Sequence, residues 1–153
     1  SALRTSFAAW SGDLWTYAYL TDLEDQSQEM SINVTYTYLV DGTEQTLRSA
    51  SVKYPVETGG IAIAYKSDGS IQTMQRMKSV KLTELSGSWA MASNQRYAIA
   101  DDVQVYLRKN GSYYLTALSA VNAEDYTLTG WYNNSSSSAG RQIRIIIATA
   151  LES

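Results

Sequence analysis

The sequence predicts an all-β protein: an antiparallel β-barrel or β-sandwich of about ten strands, built from consecutive hairpins with little helix. Three observations support this fold class. Runs of β-branched residues and tyrosine alternate with polar residues at a period of two. Asp-Gly or Asn-Gly dipeptides, which favour the positive φ angles of tight hairpins, separate several of these runs. An open sheet of so many strands would expose long edges, so closure or two packed layers is expected.

The first two hairpins are predicted at Asp-Gly dipeptides. The first spans residues 32–53, with its turn at 41–42 and one apolar face formed by the alternate residues before that turn. The second spans residues 61–77, with its turn at 68–69. In both, the alternation predicts strands that bury one face and expose the other.

The third and fourth hairpins lie in the second half of the chain. The third spans residues 103–115 around Asn-Gly at 110–111, which is the strongest short-range hairpin signal in the sequence. The fourth pairs residues 126–132 with residues 142–149 across a loop rich in serine and asparagine, 133–140. That polar loop is predicted to lie on the surface and to be mobile.

Further strands are predicted at residues 14–20, 80–85 and 96–99. Residues 21–29 and 117–125 contain neither glycine nor proline and begin near residues that can cap a helix. Each is predicted as either one or two turns of helix or a loop.

The length of 153 residues predicts one domain, residues 1–153, with a hydrophobic content of 44% that suffices for a core. Similar turn patterns raise a second option, two related halves at about 12–90 and 96–150. The chain begins Ser-Ala-Leu-Arg without a leader pattern, and we expect it to be a piece excised from a larger protein.

The composition excludes several classes of function. The chain has no histidine and no cysteine, which removes His-based triads, thiolate nucleophiles, disulfides and the commonest zinc sites. Its net charge is −3, and its basic residues are scattered, so nucleic acid is not an expected partner. Wholly apolar runs such as 145–148 are far shorter than the ~20 residues of a membrane helix, so membrane insertion is not expected.

Acidic residues are the remaining candidates for catalysis or metal binding. They are concentrated in residues 22–29 and in the pairs Asp101-Asp102 and Glu124-Asp125. A glycosidase needs two carboxyl groups facing each other across a cleft, whereas adjacent strand residues point apart. A calcium site in the loops predicted at 22–29 or 101–102 is an alternative to simple solvation. We assign no catalytic residue, no metal ligand and no cofactor.

Aromatic residues are the most informative surplus, with twelve tyrosines and four tryptophans against one phenylalanine. Such rings suit half-exposed positions, because each has an apolar body and a polar group. Strand neighbours face opposite ways, so one of Tyr113 and Tyr114, and one of Trp131 and Tyr132, is expected to point outward. Trp15, Tyr114 and Trp131 are the predicted binding residues, although cross-strand aromatic pairs that merely stabilise the sheet are the simpler alternative.

Three stretches, residues 97–106, 128–132 and 141–148, together resemble non-catalytic β modules in large cell-surface proteins of Firmicutes, proteins that often carry S-layer homology repeats. The likeness is a pattern of strand edges and covers about a third of the chain. It implies a secreted, wall-associated bacterial fragment with a scaffold or adhesion role, and it transfers no functional residue.

The sequence therefore predicts a non-enzymatic extracellular module that acts as a spacer or interaction domain. Its expected partners are cell-wall polysaccharide or another surface protein, and its edge strands could also pair between chains. The alternative is a carbohydrate-binding domain that uses exposed tryptophan and tyrosine. A carboxylate-based glycoside hydrolase is a remote third option.

Overall fold

Two curled β-sheets, which together make a half-barrel, form the fold. The computed structural model describes five ranges of the chain: 15–50, 52–68, 71–93, 95–132 and 142–150. Of Trp15, only the backbone is described. Among these residues the helical content is one 3₁₀ turn, Leu118–Ala120, and no helix is long and apolar enough to cross a membrane. The all-β prediction is confirmed.

The first sheet has five strands in the order β3-β2-β1-β4-β5, all antiparallel. Its strands follow one another directly along the chain: β1 (Trp15–Asp25), β2 (Val34–Val40), β3 (Thr43–Ser49), β4 (Gly59–Tyr65) and β5 (Ile71–Arg76).

The second sheet has seven strands in the order β6-β11-β12-β9-β8-β7, with β10 also paired to β9. Its strands are β6 (Lys78–Leu82), β7 (Glu84–Leu85), β8 (Trp89–Ala92), β9 (Gln95–Lys109), β10 (Ser112–Thr116), β11 (Tyr126–Tyr132) and β12 (Ile143–Ala150). Strands β9 and β12 are parallel, whereas the other pairs are antiparallel.

All four predicted hairpins form. The turns between β2 and β3 and between β9 and β10 have positive φ at both central residues, with values of 49° at Asp41, 84° at Gly42, 53° at Asn110 and 81° at Gly111. These angles match the two-residue turns that follow the twist of antiparallel strands. Strands β4 and β5, and β11 and β12, pair as predicted, while Gly69 and the loop 133–140 lie outside the described residues.

The prediction of helix or loop for residues 21–29 needs correction. Residues 21–25 continue β1, because Leu23 and Asp25 pair with Tyr36 and Val34 after a bulge near Thr21. Residues 117–125 contain the 3₁₀ turn and are otherwise irregular, which agrees with the prediction of a short helical turn or a loop. The predicted strand at 96–99 and the strand beginning at 103 are one continuous strand, β9.

Each sheet buries side chains on both of its faces. On one face of the first sheet lies the first core: Ala18, Leu20, Val34, Tyr36, Tyr38, Ile61, Ile63 and Met74. On one face of the second sheet lies the second core: Leu82, Ala90, Ala92, Ile99, Val105, Val121, Leu128, Ile143, Ile146 and Ala148. Alternate residues of the same strands, with Met77 from the link between β5 and β6, supply the inter-sheet cluster: Leu39, Ala62, Met77, Tyr106, Ile145 and Ile147. The period of two thus builds three apolar layers.

A hydrogen-bonded clasp joins the β2–β3 turn to the second sheet. Gln104 Oε1 accepts from Asp41 N at 3.0 Å, and the Tyr106 hydroxyl accepts from Gly42 N at 3.0 Å. Gln104 Nε2 donates to the carbonyl of Tyr17 on β1 at 2.6 Å. Two side chains of β9 therefore fix both β1 and the turn of the first sheet.

The chain passes from the first sheet to the second at Met77, which is buried and donates its backbone N–H to Gly60 O at 3.0 Å. The expectation of a single domain, and the alternative of two halves divided at 90–96, both stay predictions.

Candidate functional site

The three predicted binding residues lie on different parts of the fold. Trp15 begins β1 opposite Ala64, and its side chain lies outside the described residues. Tyr114 is on β10 and Trp131 is on β11, and strands β9 and β12 separate those two strands in the sheet. The three residues therefore do not form a single row of aromatic rings.

Trp131 lies between the two sheets and packs against consecutive glycines of β4. A Cβ atom placed on Gly59 would lie 2.5 Å from Trp131 Cη2, and one on Gly60 would lie 2.8 Å from Trp131 Cβ. The Tyr19 ring meets the indole edge-on, with centroids 6.0 Å apart. Only glycine leaves room for the indole here, so these two residues explain how a large ring fits between the sheets.

The expectation that Trp131 or Tyr132 points outward does not hold. Trp131 is half-buried against the inter-sheet cluster, and Tyr132 is half-buried against the second core, where its ring lies 5.2 Å from that of Tyr97. The alternation itself is correct, but each face of β11 has a core to contact. Trp131 nevertheless retains an exposed part, and that part lines a cavity.

The cavity at Trp131 occupies the place where the chain crosses between sheets. Its volume is about 330 Å³, and its wall includes Glu57, Arg76, Lys78 and Ser79. Ser79 pairs with Trp131 in the β6–β11 ladder, so the ladder register sets the start of β6 beside the indole. Arg76 Nη1 donates to Glu57 Oε1 at 2.5 Å, which fixes one cation at the rim.

Strand β10 shows the predicted alternation of its two tyrosines. Tyr113 points inward. The centre of its ring lies 5.1 Å from the centre of the Tyr19 ring and 5.8 Å from the Arg108 guanidinium carbon. Tyr114 points outward and is 54% exposed, and the next residue, Leu115, is 53% exposed. Leu115 also lies against Gly42 of the β2–β3 turn.

Strand β10 is also an edge strand, since β9 is its partner among the described residues. The sequence of β10 is Ser-Tyr-Tyr-Leu-Thr, so among the edge strands of the described residues it is the one without a charged residue. The other edges each carry charge, with Glu44 and Arg48 on β3, Lys81 on β6 and Glu84 on β7, and with Arg76 at the end of β5. Charged side chains on an edge discourage pairing with other strands, so β10 is the edge least protected against it.

The acidic pair at 101–102 lies within β9, not in a loop as expected. In the parallel ladder, Ile143 of β12 pairs with Ile99 and Ile145 pairs with Gln104. The segment of β9 between those two partners, which includes Asp101 and Asp102, is therefore not paired with β12, and both aspartates are exposed. Among the described residues no group of three acidic side chains is placed to hold a metal ion.

Asp25, at the end of β1, forms an ion pair with Lys53. Its carboxylate also accepts a hydrogen bond from the backbone N–H of Ser27 at 3.0 Å, and these contacts lower the pKa of Asp25 to about 2.

Sequence reasoning missed Arg144, which occupies a bulge of β12 opposite β11. Its guanidinium carbon lies 4.7 Å from the centre of the Tyr17 ring, and Nη1 is 3.8 Å from Asp102 Oδ1. These contacts connect β12 to β1 and β9. The side chain is 19% exposed, which makes it a packing residue as well as a charge.

The residues that line the cavity beside Trp131 were also missed, but one signal for them exists in the sequence. Gly59-Gly60 immediately precedes an apolar strand, and glycines inside a strand indicate close approach of another group.

No family model, curated protein or solved structure matches the chain. The resemblance to surface modules of Firmicutes stays a prediction.

Proposed function

We propose that this chain is a non-enzymatic interaction module of an extracellular bacterial surface protein, and that it associates with a second copy of itself through β10. The observation that carries the proposal is the uncharged edge of β10, with Tyr114 and Leu115 both more than half exposed. The extracellular placement rests on the resemblance of residues 97–106, 128–132 and 141–148 to wall-associated modules.

An exposed edge offers backbone N–H and C=O groups that another strand can pair with. If two β10 strands pair antiparallel about Tyr114, Ser112 faces Thr116 and Tyr113 faces Leu115 of the other copy. Every cross-strand pair is then uncharged, and like charges never face each other. The strand is therefore complementary to itself, as a two-fold symmetric contact requires.

The contact is short, because β10 has five residues. Small interfaces are typical of weak or transient association, so we expect a dimer at high protein concentration and a monomer on dilution. Several weak contacts of this kind gain strength when modules are linked in one long protein or crowded on one surface. This behaviour suits a spacer or adhesion module.

The experiment is light scattering over a range of protein concentrations. The chain of 16.9 kDa should approach twice that mass at the highest concentration, and Tyr114→Lys should remain monomeric. Thr46→Lys is the matched control, because it adds the same charge to an exposed position of the β3 edge. Circular dichroism of each variant verifies that the fold is intact.

Two results would overturn the proposal. One is a wild-type chain that stays monomeric at every concentration. The other is a Tyr114→Lys variant that dimerises as well as the Thr46→Lys control. The Tyr114 position is preferred to Leu115 for this test, because Leu115 also contacts Gly42 within the chain.

A further inference from the structure

We infer that the cavity at Trp131 binds a sugar residue that carries a carboxylate, such as a uronic acid of an acidic polysaccharide. This inference does not depend on association through β10, because the cavity lies on β4, β5, β6 and β11 instead. The volume of about 330 Å³ falls at the lower end of the range for small-molecule sites.

The aromatic part of the site is the exposed portion of Trp131. Sugar rings have an apolar C–H face that packs on an aromatic ring, and the hydroxyl groups around their edge need polar partners. Because Gly59, Gly60 and Tyr19 hold the indole in place, the ring is fixed before a ligand arrives. A fixed ring loses little conformational entropy on binding.

The polar part of the site has the groups that sugar hydroxyls require. Thr58 and Ser79 contribute hydroxyl groups to the wall. Glu57 and Arg76 form an ion pair at the rim, with side chains 69% and 60% exposed respectively. Paired planar groups of this type can accept from one hydroxyl and donate to its neighbour.

The charge of the site favours an anion. Arg76 is neutralised by Glu57, whereas Lys78 has no ion-pair partner among the described residues. The wall therefore carries a net positive charge, although the whole chain has a net charge of −3. A carboxylate on the ligand would pair with Lys78, and a neutral sugar would leave that cation solvated.

The experiment uses two disaccharides of similar shape, cellobiouronic acid and cellobiose, in calorimetric titrations of the intact chain. We expect the acid to bind at least about tenfold more tightly than the neutral sugar, as one charge-assisted contact implies. Lys78→Gln should remove that preference. Lys81→Gln is the matched control, because it removes the same charge from the same strand at a position that does not line the cavity.

A second measurement places the ligand at the indole. In a titration followed by nuclear magnetic resonance, the ring C–H signals of the Trp131 indole should shift, because the indole nitrogen itself is buried, and Trp131→Phe identifies those signals by their absence. An unchanged Trp131 signal at millimolar acid would overturn the site. Equal affinity for the two disaccharides, or an equal response to inorganic phosphate, would overturn the assignment to an acidic sugar.

Discussion

The hydroxyl of Tyr106 donates to Gln104 Oε1 at 2.6 Å, and both side chains are buried between the two sheets. The same two groups accept from consecutive backbone N–H groups of the β2–β3 turn. Residues two apart on one strand share a face, which is why a single strand supplies both acceptors. The contact joins parts of the chain that are 63 and 64 positions apart.

Removal of the Tyr106 hydroxyl should destabilise the fold. Tyr106→Phe leaves the Gly42 N–H without its acceptor, and an unsatisfied partly buried donor costs about 1–3 kcal/mol. Urea unfolding followed by circular dichroism measures this loss. Tyr114→Phe removes a hydroxyl from an exposed ring and should be close to neutral. Equal losses in the two variants would show that the clasp does not contribute to stability.

Addition of one methyl group at Gly60 should also destabilise the fold. The new Cβ would lie 2.8 Å from Trp131 Cβ and 2.9 Å from its Cγ, so the sheets or the indole must shift. Overpacking of this kind costs about 1–3 kcal/mol. Gly87→Ala is the control, because nothing lies within 4 Å of the new Cβ there.

The same substitution predicts a specific non-additivity. In the double variant Gly60→Ala with Trp131→Leu, the smaller side chain relieves the clash, so the combined loss should be less than the sum of the two single losses. Chemical unfolding of all four members of the cycle tests this. Strictly additive losses would mean that Gly60 and Trp131 do not compete for the same space.

The pairing of Asp25 with Lys53 should be visible in acid. The Lys53 ammonium and Ser27 hold the pKa of Asp25 at about 2, which means that the folded state favours the ionised carboxylate. The contact therefore stabilises the fold above about pH 4, and that contribution is lost as the pH falls toward 2. In Lys53→Gln, the pKa of Asp25 measured by nuclear magnetic resonance should rise toward its ordinary value, and an unchanged pKa would contradict the assignment to Lys53.

Buried tyrosines should make the fold sensitive to alkali. Burial, together with the neighbouring Tyr65, raises the pKa of Tyr38 to about 12, and burial also raises the pKa of Tyr19 and Tyr106. The folded state holds these protons more tightly, so the contribution of these tyrosines to stability should be constant below about pH 10 and fall as the pH rises toward 12. Tyrosinate absorbance and unfolding should change together, and Tyr38→Phe should make the fall smaller. Ionisation of every tyrosine near pH 10 without unfolding would contradict this prediction.

Local signals in the sequence predicted the hairpins. Asp41-Gly42 and Asn110-Gly111 favour their turns through the φ angles of those same residues, so adjacent residues suffice to locate them. The parallel pairing of β9 with β12 has no such signal, because neither strand is adjacent to the other in the chain. Periodicity therefore located the strands but could not give their order.

The candidate sites were harder to predict for the same reason. Tyr114 was correctly expected to face outward, because alternation along one strand decides it. The lack of charge on β10 has meaning only when the other edges are known, and the edges follow from the strand order. The cavity at Trp131 joins Glu57, Arg76 and Lys78 to a ring that lies more than fifty positions later in the sequence. Gln104 likewise reaches Tyr17, 87 positions away.

The parallel contact between β9 and β12 has a consequence for how the chain folds. Val105 and Ile146, which face each other there, are 41 positions apart, whereas the β9–β10 turn joins strands through two residues. Closing the longer loop costs more chain entropy, and the apolar contacts between β9 and β12 that offset this cost form only after the loop has closed. We therefore expect the β9–β10 and β11–β12 hairpins to form rapidly and separately, and their side-by-side docking to limit the folding rate. Until that step is complete, the apolar faces of β12 remain open to other chains, which makes this interval the time of greatest risk of aggregation.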